Sequence, residues 1–255
     1  MTLEIVTLPC LSDNYAYLAH DPATGATAVV DVPEAAPVLA ALRARGWTLS
    51  DVLLTHHHDD HVQGLAALLA EAPARVIGAA ADAHRLPPLD LAVAEGDTVQ
   101  VGRARGHVIE VPGHTLGHVA YHFPESGAVF TADSLMALGC GRVFEGTMAQ
   151  MHASLCKLAA LPPETRVFSG HEYTAANARF ALTIDPENPR LAARLREIDL
   201  ARAENRPTVP STLEEELATN PFLRAHDPAI RARLDLGDAP EAEVFAEIRR
   251  RKDRF

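Results

Sequence analysis

The chain has 255 residues, 47% hydrophobic and 22% charged, enough for one large domain or a medium one plus a smaller one, and too apolar for a disordered chain. Its 34 acidic against 23 basic side chains give a formal net charge of -11, which argues against a nucleic-acid binder because phosphate contacts need a basic surface. Three dispersed cysteines, Cys10, Cys140 and Cys156, suit neither a disulfide framework nor a cysteine zinc site, and fit a reducing cytoplasm.

The first residues, MTLEIVTLPC, lack a basic segment followed by an apolar run, so no secretory leader is expected. No uncharged apolar stretch approaches the ~18 residues of a membrane span. Short strands are predicted at Leu3–Leu8, Tyr15–Ala19 and Thr27–Val30, the last ending at Asp31. Pro33–Arg45 reads as a helix closing on Gly46. Leu49–Leu54 reads as a buried strand that delivers the chain to His56, with a helix over Val62–Ala72 and a strand at Arg75–Ile77. From Thr98 to Thr131 runs of strand character (TVQV, HVIEVP, HVAYHF, AVFTAD) are split by Gly and Pro turns. Met148–Leu161 is a predicted helix stopped by Pro162 and Pro163, and Arg166–Ser169 a last strand. Beyond about residue 173 the texture becomes Ala-, Glu- and Arg-rich with helical period and frequent prolines, and no strand is predicted there. These changes divide the chain into a mixed α/β domain, 1–172, and a helical domain, 173–255.

Histidine is the outlier in composition, with 13 in the chain and four within Thr55-His56-His57-His58-Asp59-Asp60-His61. Imidazole nitrogen and carboxylate oxygen are the donors that divalent transition metals prefer. In a turn after a strand, His56 and His58 can point to one side, and Asp60 and His61 can reach a neighbouring position. That is too many ligands for a single tetrahedral ion with an open position, so two metals are expected. The zincin pattern H-E-x-x-H fails, because His58 stands where the general-base Glu is required. An exposed, adventitious His-rich surface would not have an apolar strand before it and an amphipathic helix behind it. Three more groups end strands in the same way: Pro112-Gly113-His114-Thr115-Leu116-Gly117-His118, Phe130-Thr131-Ala132-Asp133-Ser134 and Ser169-Gly170-His171-Glu172. Singly each reads as a cap or a turn; together they are acid and imidazole groups that one sheet edge can gather.

In this order the motifs T-H-x-H-x-D-H, P-G-H-T-x-G-H, an Asp after F-T-A, and S-G-H resemble the metallo-β-lactamase superfamily. The resemblance implies an α/β (α+β) protein with an αβ/βα sandwich, two packed sheets with helices outside and the site along one edge. It implies that His56, His58 and His114 hold one ion, that Asp60, His61 and His171 hold the second, and that Asp133 bridges them. Asp133 takes the place where true β-lactamases have a cysteine, which disfavours an antibiotic-degrading role. Asp60 and Asp133 are the candidate catalytic carboxylates, because paired cations lower the pKa of a shared water towards neutrality for attack on an activated carbonyl. A departing thiolate needs no dedicated general acid. His57, Asp59 and His118 are expected to support the ligands rather than bind metal. His20, His84, His107, His122, His152 and His226 are expected to be ordinary core or surface histidines.

Leu138-Gly139-Cys140-Gly141-Arg142-Val143-Phe144, Gly170-His171-Glu172-Tyr173-Thr174, Asn220-Pro221-Phe222-Leu223-Arg224 and the closing Arg249-Arg250-Arg251-Lys252-Asp253-Arg254-Phe255 extend the resemblance over essentially the whole chain. They resemble the glyoxalase II (hydroxyacylglutathione hydrolase) family, which implies hydrolysis of S-D-lactoylglutathione to glutathione and D-lactate. The implied substrate-binding residues are Arg142, Phe144, Tyr173, Arg249 and Lys252, with the cations on glutathione carboxylates. Read on their own, the terminal cations are a solvated helix end offsetting the negative dipole. Two departures stand out: Phe144 where many members have tyrosine, and Val62-Gln63-Gly64 where Gly-Gly is common. The implied cofactors are two divalent ions per chain, zinc first, with iron or manganese also suited to the ligands. A cytoplasmic monomer with no nucleic-acid or membrane partner is expected. The alternatives are a persulfide dioxygenase, a thioesterase, lactonase or nuclease of the same fold, and a non-catalytic metal-binding protein.

Overall fold

The structure, a computed structural model, describes residues 2–255. Packing resolves two compact units: one runs to Glu110 and resumes over Leu116–Thr131, and the other comprises Val111–Thr115 and Ala132–Phe255. This division follows packing, whereas the division at residue 172 follows a change in sequence texture.

In the first unit β1 (Glu4–Cys10), β2 (Asn14–His20) and β3 (Ala26–Val30) pair antiparallel. The strands β4 (Thr48–Leu53), β5 (Arg75–Ala79) and β6 (Leu91–Val93) then add parallel, completing a six-stranded sheet in sequence order. Parallel neighbours require crossovers. The helix α1 (Ala35–Arg45) supplies the first, ending on left-handed Gly46 as predicted, and α2 (Asp59–Val62) with α3 (Leu65–Glu71) supplies the second. The single helix predicted over Val62–Ala72 is therefore two. Gly64 explains the break: its N–H donates to the Val32 carbonyl at 2.9 Å, and a Cβ there would lie 2.8 Å from the Glu34 backbone. Of the Val62-Gln63-Gly64 departure, position 64 is the one the fold constrains to glycine. The strand β6 escaped prediction because three residues, two of them exposed, carry no readable pattern.

The strands β7 (Thr98–Val101), β8 (Ala104–Glu110), β9 (Val119–Phe123) and β10 (Ala128–Ala132) follow as an antiparallel meander. Tyr17 of β2 meets Phe130 of β10 at 5.6 Å between ring centroids, and Phe130 meets Phe123 at 6.1 Å. These buried rings join sheet to meander, on strands whose residues are buried throughout. The buried Tyr121 hydroxyl donates to the Leu54 carbonyl at 2.8 Å, and Val119 N–H donates to the Thr55 carbonyl at 3.0 Å. The chain entering the His-rich segment is thereby stitched to β9.

In the second unit the strands β11 (Leu135–Met136) and β12 (Gly139–Cys140) form a small hairpin, followed by α4 (Met148–Ala159) behind a Thr147/Gln150 capping box and by β13 (Arg166–Ser169). Five helices complete it: α5 (Thr174–Ile184), α6 (Pro189–Ala203), α7 (Leu213–Thr219), α8 (Pro228–Arg233) and α9 (Glu241–Asp253). Pro189 and Pro228 begin helices behind the capping side chains of Asn188 and Asp227, since the first helical position needs no N–H partner. The expectation of no strand beyond residue 173 is corrected: β14 (Ser211–Thr212) pairs antiparallel with Val167 and Arg166. Two residues are too few for a period of two to register. Phe180, Phe222 and Phe245 pack at 5.8–6.1 Å in the core of this unit. Among the described residues no helix is long and apolar enough to cross a membrane.

Gly64→Ala is expected to destabilise the fold by about 1–3 kcal/mol, as over-packing against fixed backbone does. Denaturant unfolding measures this, and an unchanged midpoint would mean that the Glu34 turn yields freely.

Candidate metal centre

β3 and β4 are parallel neighbours, and the site chemistry of the first unit begins just beyond their carboxyl ends, where open α/β sheets place ligands. Asp31, directly after β3, has a φ of 55°, a conformation unfavourable for a residue with a Cβ, and its N–H is tied to the Leu53 carbonyl at 3.1 Å. Its buried carboxylate takes three donors: Thr55 N–H at 2.9 Å on Oδ1, and Thr55 Oγ1 and His61 Nδ1, each at 2.8 Å, on Oδ2. Having given its proton to Asp31, the Thr55 hydroxyl accepts from His56 Nδ1 at 3.0 Å. Both imidazoles thus carry their proton on Nδ1 and present Nε2 as the lone-pair nitrogen, the form a metal requires. Donor atoms of Asp31, His56 and His61 lie within 4.8 Å of one another. Because the Asp31 oxygens are spent on N–H and O–H donors, its part is to orient the imidazoles. In the sequence Asp31 marks only a strand end; the signal for its role is an acid closing one strand and a threonine preceding the histidine after the next.

His58 Nδ1 converges on His56 Nε2 at 3.2 Å. Asp60 Oδ2 lies 3.9 Å from His61 Nε2 and is steadied by Asn14 Nδ2 at 3.0 Å. His57 meets Asp82 at 3.0 Å, and Arg85 neutralises that buried carboxylate at 2.6 Å. Gly117 packs over the same group, where a Cβ would sit 2.2 Å from the Asp82 carboxyl carbon. His118 is fully buried and stacks on His56 at 4.7 Å and 11°. Asp59 is exposed at the start of α2.

In the second unit Asp133 follows β10, and its Oδ2 lies 3.4 Å from His114 Nε2 and 3.3 Å from His171 Nε2. His114 Nδ1 donates to the Arg142 carbonyl at 2.7 Å, so its Nε2 too is the lone-pair nitrogen. A lone pair facing a carboxylate at this distance is repulsive unless a cation lies between them. The donor set therefore fits a divalent metal. Gly141 permits the arrangement, since a Cβ there would stand 1.9 Å from the Asp133 carbonyl oxygen and 3.0 Å from His114 Nδ1. His171 is buried at the end of β13 and stacks on Tyr173 at 4.6 Å and 7°.

The five substrate-binding candidates also lie in this unit. Phe144 is 60% exposed and 5.4 Å from the His114 ring, with the Arg142 guanidinium 5.7 Å above its face. Tyr173 is 41% exposed. Lys252 Nζ lies 5.2 Å and 5.3 Å from the rings of Phe180 and Phe255 and donates to the Ala176 carbonyl. Burial, then the nearby charges of Arg249 and Arg179, lower its pKa to about 8. Arg249 is only 4% exposed and donates to the Cys140 carbonyl at 2.9 Å and to Asp253 at 2.9 Å, so its guanidinium is committed inside the fold. Arg250 and Arg251 pair with Glu247. The terminal cations therefore divide by partner, some serving the helix and Lys252 standing apart over aromatic faces.

Comparison with known proteins agrees with this geometry. Residues 21–171 match the metallo-beta-lactamase superfamily and residues 172–255 match the hydroxyacylglutathione hydrolase C-terminus. Proteins named hydroxyacylglutathione hydrolase from Cereibacter sphaeroides (strain ATCC 17029 / ATH 2.4.9) and Jannaschia sp. (strain CCS1) are 65% and 66% identical; the first match covers 100% of both chains, the second 99% of this chain and 98% of the relative. The solved BLEG-1 B3 metallo-beta-lactamase shares the fold at a TM-score of 0.67 and 20% identity, covering 86% of this chain and 99% of that one. TTHA1623, solved in a di-iron-bound form, aligns at a TM-score of 0.61 and 29% identity over 86% of this chain and 100% of that one.

Asp31→Asn replaces a carboxylate oxygen with an NH2 group and removes an acceptor from His61 or Thr55. Metal affinity is expected to fall about 10- to 100-fold, as with other groups that orient ligands. Competition with a chromophoric chelator measures it, and wild-type affinity would remove Asp31 from this role.

Proposed function

Because the chain belongs to the hydroxyacylglutathione hydrolases of the metallo-β-lactamase superfamily, we propose that it hydrolyses 2-hydroxyacylglutathione thioesters, first among them S-D-lactoylglutathione, to glutathione and the 2-hydroxy acid. The observation that carries the reading is the Asp133 carboxylate set 3.3–3.4 Å from the ring nitrogens of two histidines, the arrangement of a bridging ligand. We assign His56, His58 and His114 to one divalent ion and Asp60, His61 and His171 to the other, with Asp133 shared and zinc as the first choice of metal. The di-iron form of TTHA1623 supports a count of two. Two such ions would lower the pKa of a shared water and polarise the thioester carbonyl.

The chain's own residues then do the positioning. Asp31, through Thr55, and the Arg142 carbonyl keep protons on the outer nitrogens of His56, His61 and His114. Lys252, with Arg249 adding its charge from beneath, faces the glycine carboxylate of glutathione, and Arg142 and Tyr173 lie alongside. Phe144 offers an apolar contact where a tyrosine would offer a hydroxyl. Departure of a thiolate needs no proton donor, which fits a site whose acids and imidazoles are all assigned to ligation or support. Residues 173–255 form the substrate-binding part, and the protein works as a monomer in a reducing cytoplasm, consistent with three free cysteines. Relatives matching over full length carry the hydroxyacylglutathione hydrolase name, so the persulfide dioxygenase and lactonase readings are not favoured.

Purified protein is expected to release thiol from S-D-lactoylglutathione rapidly, to lose this on chelation, and to hold close to two metals per chain. Asp133→Ala should abolish both turnover and two-metal binding; full activity in that variant would refute the bridging assignment. No release despite two bound metals would redirect the substrate to other thioesters or lactones. Lys252 with a pKa near 8 binds a carboxylate only while protonated, so KM should rise as pH increases from 7 to 9. Lys252→Arg, charged throughout this range, should flatten that rise; an equal rise in the variant would place the titrating group elsewhere.

A further inference from the structure

The hairpin β11–β12 joins Asp133 on one side to Gly141 and Arg142 on the other, and its backbone is held by buried side chains of the helical tail. Asn220 Nδ2 donates to the carbonyls of Met136 at 3.1 Å and Gly139 at 3.0 Å. Asn177 Nδ2 donates to the Ala137 carbonyl at 3.1 Å, and Arg249 to the Cys140 carbonyl at 2.9 Å. Glu216 Oε2 accepts the Leu138 N–H at 2.8 Å and an Asn220 Nδ2 proton at 3.0 Å. Leu138 has a φ of 57°, so the Glu216 contact secures a backbone conformation that leucine resists. The fully buried Glu216 carboxylate is in turn neutralised by Arg194. Four tail side chains thus grip five consecutive residues, two positions before the carbonyl that holds the proton on His114 Nδ1.

We propose that Asn177, Glu216 and Asn220 are positioning residues for the metal centre, acting through the β11–β12 hairpin and the Arg142 carbonyl on His114 and Asp133. This rests on the dinuclear reading above. It gives the tail a second task besides meeting substrate: the Asn220-Pro221-Phe222 motif serves ligand geometry. Asn220 supplies the clamp, its Oδ1 accepts the Phe222 N–H at 3.1 Å, and Phe222 lies 5.2 Å beneath the Arg249 guanidinium. A loosened hairpin frees the Arg142 carbonyl to move, so His114 loses its enforced tautomer without any ligand being altered. Asn177 is the milder site, because it holds one carbonyl and supports no buried charge.

The test uses the full chain with Zn2+. Asn220→Ala and Asn177→Ala are compared with Ile230→Val, a core change in α8 of the same tail and outside the clamp. Zinc affinity is read by chelator competition well below each melting temperature, with kcat and KM on the thioester beside it. Both asparagine variants are expected to bind zinc about tenfold or more weakly, with kcat reduced and KM within twofold of wild type, the size of effect usual for groups behind metal ligands. Ile230→Val is expected to melt lower while keeping zinc affinity and kcat. Wild-type zinc affinity and kcat in Asn177→Ala, or a loss in Ile230→Val equal to that in the asparagine variants, would overturn the proposal and leave the dinuclear reading standing. A wild-type chain that fails to retain zinc would overturn both.

Discussion

The structure depends on where a few imidazole protons are held. A histidine ligates through a lone pair, and which nitrogen carries it is decided by what the other nitrogen donates to. Here a buried carboxylate, Asp31, serves two histidines at once: it takes the His61 proton directly and the His56 proton through the Thr55 hydroxyl. A main-chain carbonyl, that of Arg142, does the same for His114. These acceptors lie within 2.7–3.0 Å of their donors, so the ring orientations are set before any ligand arrives.

Each acceptor sits on backbone that is itself constrained. Asp31 takes a left-handed φ at the end of β3, anchored on Leu53, and the adjoining turn at Glu34 is approached so closely by Gly64 that no side chain fits. The Arg142 carbonyl follows Gly141, pressed against the Asp133 backbone. Glycines therefore stand beside the chemistry because backbone must approach backbone there, a different use from the turn glycine Gly46 that ends α1.

The helical tail contributes in two ways that its composition conceals. Its charge cluster is mostly internal accounting: Glu247 answers Arg250 and Arg251, Arg194 answers Glu216, and Arg249 is buried on Cys140 and Asp253. Lys252 differs, half-buried between aromatic rings with its pKa drawn down to about 8, and stays near the surface. Its asparagines and glutamate hold a two-stranded hairpin too short to be stable alone.

The sequence by itself determined most element types and the fold class, and it put forward the donor residues. Strand and helix periods are local, and four acid–imidazole groups at strand ends resemble one superfamily closely enough to imply its fold. It left unread the elements of two or three residues, β6, β11, β12 and β14, whose formation depends on a neighbouring strand rather than on a period. It also passed over Asp31, Asn177, Glu216 and Asn220 as working residues, because a carboxylate or amide earns its role only through partners far along the chain: 24 and 30 residues away for Asp31, 40 for Asn177, 78 for Glu216 and up to 84 for Asn220. Tertiary structure alone decided that His56, His61 and His114 carry their protons on Nδ1. It also decided that Arg249, part of a terminal cation cluster that by itself reads as a solvated helix end, lies buried against the Cys140 carbonyl.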